Sequence, residues 1–182
     1  LELLFQDKNL NVMDKDEVIR NIKFLKMKNV LIALDYDPTA QKVAEAGYGL
    51  AKSMNAEITL LHVISDPVYY SAVEYSPVMG FTGYMEMGQL QSVSIERLKE
   101  ASVKYLEKIK SHLKDDSIAI KVEEGDFADS ILRTAKQIKA DMIVLGSHSR
   151  KWLENILMGS VAEKVLHHTK IPLFIVPTKK KK

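Results

Sequence analysis

The 182-residue chain contains no cysteine, which excludes disulfides, iron–sulfur clusters and thiol catalysis. No apolar run approaches the roughly 20 residues of a membrane-spanning helix, and no signal-peptide pattern is visible. A cytoplasmic location is the expectation that goes with these absences. No glycine is followed by lysine, so the Walker A phosphate loop is absent. The five histidines, His62, His112, His148, His167 and His168, lack metal-ligand spacing with carboxylates. Charge of one sign is also missing, with 26 Lys and Arg against 24 Asp and Glu. The formal +2 comes from the terminal run Lys179–Lys182, without which the balance is −2. Such a run reads as a solvated tail. Basic residues are not interleaved with aromatics over a face, so nucleic-acid binding is not expected.

What remains is an ordinary globular composition, 46% apolar and 27% charged, in a length that suits one domain with a sizeable core. The first six residues, LELLFQ, resemble a viral protease cleavage site and are set aside. Residues 1–27 are read as an N-terminal extension, partly vector-derived, in which Asp14 to Lys26 forms a short helix. Met13 and Met27 are both candidate native starts. The domain is expected over residues 28–178, and residues 179–182 form the basic tail.

Within the domain, apolar strand patterns alternate with helical ones. Asn29–Leu34, Glu57–Ile64, Ile118–Glu123, Met142–Leu145 and Leu173–Val176 are β-branched or alternating runs bounded by breakers, the signature of strands. Asp37-Pro38-Thr39 opens a helix reaching about Met54, with Val43, Ala46, Leu50, Ala51 and Met54 on its stripe. A second helix spans about Leu90 to Leu113 and buries Ile95, Leu98, Tyr105, Leu106 and Ile109. Asp126 caps a third, whose buried face carries Phe127, Ile131, Ala135 and Ile138. Strands separated by helices imply parallel pairing through right-handed crossovers. The expected fold is an open five-stranded parallel α/β sheet with helices on both faces, Rossmann-like, with ligands outside the carboxyl ends of the strands. The long connection Ser65–Gly88, rich in Tyr and Met, is either packing over the core or a lid. Gly47-Tyr48-Gly49 lies inside a helix without a third glycine, and is not taken as a dinucleotide fingerprint.

The chemistry concentrates in DMIVLGSHSRKWLENILMGS, residues 141–160. An apolar strand ends at Gly146, a polar loop carries Ser147, His148, Ser149, Arg150 and Lys151, and Gly159-Ser160 starts an amphipathic helix. Backbone N–H groups at such a junction can receive an anion, so the stretch reads as a phosphate site. Ser160-Val161-Ala162-Glu163 is also a capping box, in which Ser160 closes its own helix. Arg150 and Lys151 could meet phosphate charge or be solvated loop cations. Asp35, at the end of the first strand, is either a ligand contact or a cap for the next helix.

The spacing Gly146-x2-Ser149-x9-Gly159-Ser160 resembles the G-x2-G-x9-G-[S/T] signature of the universal stress protein family, with serine in the place of the second glycine. The resemblance runs from about Lys28 to Thr178 and includes the strand ending in Asp35, the His62-Val63 end of the second strand, and the GSVAEKVLHHTKIPLFIVP finish. It implies an adenine nucleotide alpha hydrolase-like fold and a nucleotide-binding regulatory protein. ATP is the implied ligand, with AMP or ADP and an accompanying magnesium ion as variants. Gly146, Ser147, Ser149, Arg150, Gly159, Ser160 and Val161 would hold phosphates and ribose. Asp35 would contact the ribose hydroxyls or a metal bridging to phosphate, and Ala33 and Val63 would line the adenine slot. The family often dimerises through its fifth strand, so a homodimer is implied.

Two further readings share this architecture. An ATPase or phosphotransfer protein needs a positioned water and charge stabilisation; no motif fixes a base, so at most slow hydrolysis is expected. A receiver-like signalling domain would match Asp35 and Asp37, but the third strand ends Glu123-Glu124-Gly125 without a phosphoacceptor aspartate.

Overall fold

A computed structural model describes residues 27–65, 95–147 and 159–178. Five strands, β1 (Asn29–Leu34), β2 (Glu57–Ile64), β3 (Ala119–Glu124), β4 (Met142–Ser147) and β5 (Leu173–Pro177), form one sheet. Their order is β3-β2-β1-β4-β5, and every neighbouring pair is parallel. Among the described residues four helices accompany them: α1 (Ala40–Ser53), α2 (Ile95–Leu113), α3 (Phe127–Gln137) and α4 (Ser160–His168). The expected single-domain, doubly covered parallel sheet is therefore present.

Side-chain alternation sorts the core into two layers. Val30, Ile32, Leu34, Ile58 and Leu60 pack with α1 and α2, through Val43, Ala44, Leu106 and Ile109. Leu31, Leu61, Val63, Ile143 and Leu145 pack with α3 and α4, through Ile131, Ala135, Ala162 and Val165. The central strands β1 and β4 are buried on both faces, which is why their sequences are continuous apolar runs rather than alternating ones.

Boundaries differ from the sequence reading in ways the pairing explains. β4 runs two residues further, because Gly146 pairs with Val176 and Ser147 with Pro177. β3 runs Ala119–Glu124, one residue later than its apolar pattern; Ile118 is buried in the core just before it. The face of α1 is centred on Ala40, Val43, Ala44, Gly47 and Ala51, while Ala46, Leu50 and Met54 pack only at its margin. In α2, Ser102 joins Leu98, Tyr105, Leu106 and Ile109 in the buried set, and Ile95 is only half-buried. In α3 the buried set is Ala128, Ser130, Ile131, Thr134 and Ala135, with Phe127 and Ile138 partly covered. The proposed start of α2 at Leu90, the helix Asp14–Lys26, the loop from Asp66 to Gly88 and the basic tail lie outside the described residues.

The turn into α3 requires its glycine. Gly125 has φ +129, and an added Cβ would stand 3.3 Å from Ser130 Oγ. Asp126 then caps the helix as expected, its Oδ1 accepting the Asp129 N–H at 3.0 Å.

Candidate functional site

The strand order reverses at β1, and there the sheet opens. β1 pairs with β4 only as far as Ile32–Val144, whereas its pairing with β2 continues to Leu34–His62. Beyond Val144, β4 pairs on with β5 and diverges from β1. The resulting crevice lies outside the carboxyl ends of the strands, where open α/β sheets place ligands.

A cavity of about 260 Å³ occupies it, near the lower end of the ~300–1,000 Å³ usual for small-molecule sites. Its walls are mostly apolar: Ala33, Leu34, Leu61, Val63, Leu145, Phe127 and Ile131 from the strand ends and α3, with Ala40 and Val43 from α1. Polar groups enter from Asp35, His62, Gly146, and the α4 start at Gly159 and Ser160. A mostly apolar slot that also carries a few polar groups suits a ligand with a flat ring and an anionic tail.

Seven residues singled out from the sequence meet at this cavity: Ala33, Asp35, Val63, Gly146, Gly159, Ser160 and Val161. Ser147 is buried at the end of β4, where its carbonyl accepts the Thr178 hydroxyl at 2.7 Å, and it does not line the cavity. Ser149 and Arg150, with His148 and Lys151, lie outside the described residues. Leu61, His62, Phe127 and Ile131 were read only as core, strand or helix-face residues. No local motif distinguishes a core side chain from one that lines a pocket.

The capping box at Ser160 is not formed. Gly159, extended at φ −73 and ψ 154, is the N-cap, and its carbonyl accepts the first intrahelical bond from Glu163 N–H at 2.9 Å. Ser160 is the first helical residue, so its hydroxyl is not the cap. The amides of the first turn have no intrahelical acceptor, and they belong to residues that line the cavity. Lys164 braces this helix, reaching Asp126 at 3.0 Å and Asp129 at 3.2 Å on α3. The Asp129 amide and the Lys164 ammonium hold the Asp126 carboxyl below its usual range.

Val63 offers its backbone. Ile64 gives its carbonyl to Gly125 N–H on the β3 side at 2.9 Å. Val63, one residue earlier in an extended strand, therefore turns its own N–H and C=O toward β1. β1 ends at Leu34, opposite His62, so the Val63 carbonyl faces the region where that strand has stopped. Asp35 is exposed, with Oδ1 accepting the Asp37 N–H at 3.2 Å.

His62 is almost wholly buried. Its Nδ1 lies 2.8 Å from the Leu34 carbonyl, which can only accept, so the proton resides on Nδ1. Nε2 has no hydrogen-bond partner among the described residues. Burial pushes the His62 pKa down, and the Leu34 carbonyl and Asp35 only partly oppose that. The ring is neutral. Among the described residues no group of three or more His, Cys, Asp or Glu could hold a metal ion. No described helix is long and apolar enough to cross a membrane.

Comparison with known proteins places this geometry. The family model described as universal stress protein family matches residues 26–177. The chain is 32% identical over 168 residues to universal stress protein MJ0531 of Methanocaldococcus jannaschii, covering 91% of each. It is 28% identical to MJ0577 of the same organism, covering 84% of this chain and 96% of that one. The solved MJ0577 structure superposes with a TM-score of 0.58 at 25% identity, over 85% of this chain and 99% of the other. A universal stress protein solved in complex with cAMP shares the fold, at a TM-score of 0.55 and 17% identity over 84% and 98%. With the matched segment running through all five strands and both sides of the crevice, the chain belongs to the universal stress protein family.

Proposed function

We propose that this protein is a stress-response regulator that binds an adenine nucleotide, ATP first and ADP or AMP as variants, at the carboxyl ends of its parallel strands. The observation that carries the reading is the crevice at the β1–β4 divergence, where Asp35, Gly146 and the first turn of α4 share one cavity. Ala33 and the Val63 backbone would line the adenine slot, Asp35 would meet the ribose or a magnesium ion on the phosphates, and Gly159, Ser160 and Val161 would give amides to phosphate. Gly146 and Ser149 complete the set by the spacing of the family signature, with Arg150 next to Ser149 in the chain; Ser147, buried and off the cavity wall, is left out of it.

The energetics require this combination. Micromolar binding needs about 8 kcal/mol, whereas a helix dipole supplies only about 0.3–1 kcal/mol. Several amides, an apolar ring slot and a carboxylate must act together. The slot is apolar enough, and polar groups from Asp35, Gly146 and the α4 start also line it.

Binding rather than turnover is the proposed role, because no general base is fixed by the described residues around Asp35. Sustained ATP hydrolysis above roughly 1 s⁻¹, the low end of typical enzymes, would overturn that. The protein would act in the cytoplasm as a homodimer through the outer edge of β5. The direct test is to denature purified protein and identify any released nucleotide by chromatography and mass spectrometry, followed by calorimetric titration with ATP, ADP, AMP and cAMP. Cyclic AMP belongs in the series because a protein of the same fold was solved with it. Absence of both carried and added nucleotide would refute the proposal.

A further inference from the structure

Three aromatic rings meet beside Asp35, one from the turn after β1, one from β2 and one from α2. Tyr36 follows β1, His62 belongs to β2 and Tyr105 to α2. Ring centroids are 4.2 Å apart for Tyr36 and His62, 4.7 Å for Tyr36 and Tyr105, and 5.8 Å for His62 and Tyr105. Their polar tips have defined destinations. The Tyr105 hydroxyl donates to the Asp35 carbonyl at 2.6 Å, and His62 Nδ1 donates to the Leu34 carbonyl at 2.8 Å. Ser102 gives its proton to the Leu98 carbonyl at 2.7 Å. The Tyr36 hydroxyl, 2.9 Å from Ser102 Oγ, is therefore the donor of that pair.

Two successive carbonyls are thus gripped from α2 and β2 at the point where β1 leaves the sheet. Asp35 lies one residue past the last β1–β2 pair, so no strand register sets the orientation of its peptide. Within the turn, the Asp35 carboxylate accepts the Asp37 N–H at 3.2 Å. The Tyr105 bond is shorter and comes from a packed helix 70 residues away. Tyr105 holds the main chain of Asp35 rather than its carboxylate; a fixed backbone sets where the carboxylate starts from and leaves less freedom to lose when it meets a ligand.

We infer that Tyr105 is a positioning residue that fixes Asp35 against the ribose of the bound nucleotide and so sets selectivity for an intact ribose. The inference rests on the nucleotide reading given above. Burial, with the nearby Asp35 charge second, raises the Tyr105 pKa well above that of an ordinary tyrosine, and the hydroxyl stays a donor throughout the working pH range.

The test is calorimetric titration of the full chain with ATP and with 2′,3′-dideoxyATP, for the unmodified protein, Tyr105→Phe, Asp35→Ala and the double variant. Phenylalanine keeps the ring and its packing, and a thermal melt of each variant checks the fold. One lost hydrogen bond predicts an ATP affinity about two- to tenfold weaker in Tyr105→Phe, with the dideoxy analogue unaffected. On the Asp35→Ala background the same change has no further effect. Equal losses for both nucleotides, or an undiminished loss without Asp35, would make Tyr105 a general packing residue and overturn the inference. Tight ATP binding indifferent to Tyr105→Phe overturns it alone; no ATP binding by the unmodified protein overturns the nucleotide reading with it.

Discussion

Gly47 of α1 lies so close to Ile32 of β1 that a Cβ on the glycine would stand 2.8 Å from Ile32 Cδ1. Val144 Cγ1 of β4 would be 3.1 Å away. The missing side chain lets α1 settle onto β1 and β4, the two strands that part to form the crevice, and Ala40 and Val43 earlier in the helix reach the cavity wall. A residue with no chemistry of its own thereby helps set the shape of the site.

The contact predicts opposite outcomes for two glycines in one helix. Replacing an interior helical glycine by alanine ordinarily stabilises by about 0.5–1 kcal/mol. Gly49→Ala should do so, because nothing lies within 4 Å of its added methyl group. Gly47→Ala should instead destabilise by about 1 kcal/mol net, since overpacking costs about 1–3 kcal/mol. Urea unfolding of both variants measures the difference; a gain in stability for Gly47→Ala would contradict the packing described.

His62 predicts a pH dependence whose sign follows from burial. Its pKa is lowered in the folded state, so between that value and the ordinary histidine value of about 6.5 the unfolded chain holds more protons. Stability is then full above about pH 6.5 and declines as pH falls toward the folded pKa, with a limiting slope near 1.4 kcal/mol per pH unit. His62→Asn retains a donor for the Leu34 carbonyl and cannot titrate. It should melt at a lower temperature at pH 7 yet show a flatter profile from pH 6.5 to 5. Parallel profiles for the two proteins would show that another group carries the acid sensitivity.

Ser160 and Gly159 separate capping from ligand contact. Because Gly159 is the N-cap, Ser160→Ala should cost less than about 0.5 kcal/mol of stability, rather than the ~1 kcal/mol of a lost serine cap. Its ATP affinity should nonetheless fall. Gly159→Val should abolish ATP binding by filling the space the phosphates need; its φ of −73 is one that valine adopts without strain. Calorimetry paired with thermal melts reads both quantities, and unchanged ATP affinity in Gly159→Val would refute the placement of the phosphates.

Much of this molecule is legible in its sequence, and the rest is not for definite reasons. The runs NVLIAL and EITLLHVI gave β1 and β2 to the residue, because both are apolar blocks closed by a polar residue or turn. The end of β4 was set two residues short because Gly146 and Ser147 carry no strand propensity; they pair only because Val176 and Pro177 lie alongside. Ser160 followed by Glu163 reads as a capping box from propensity alone, yet a glycine one residue earlier takes the cap. Of the candidate site, the residues at strand and helix ends could be picked out. The supporting group could not. Tyr36, His62 and Tyr105 are ordinary apolar or aromatic positions until the fold brings them together, and a glycine packed against an isoleucine leaves no local mark.

The final prediction concerns the two edges of the sheet, which are chemically unlike. Among the described residues β3 pairs only with β2, and it carries Lys121, Glu123 and Glu124, charges that discourage pairing with another chain. Among the described residues β5 pairs only with β4, and it reads Leu173-Phe174-Ile175-Val176. Phe174 is 37% exposed, and Leu166 on the neighbouring α4 is 45% exposed. An apolar edge of this kind invites a partner strand, whereas the charged one does not. The homodimer proposed above would therefore form at β5. Light scattering at micromolar concentration should give twice the mass of the 20.6 kDa chain. Phe174→Glu should shift it to monomer while the far-ultraviolet circular dichroism stays the same, because that side chain is exposed at the edge. Dimerisation also makes the melting temperature rise with protein concentration, and Phe174→Glu should remove that dependence. A monomeric unmodified protein, or a Phe174→Glu variant that remains dimeric, would exclude β5 as the interface.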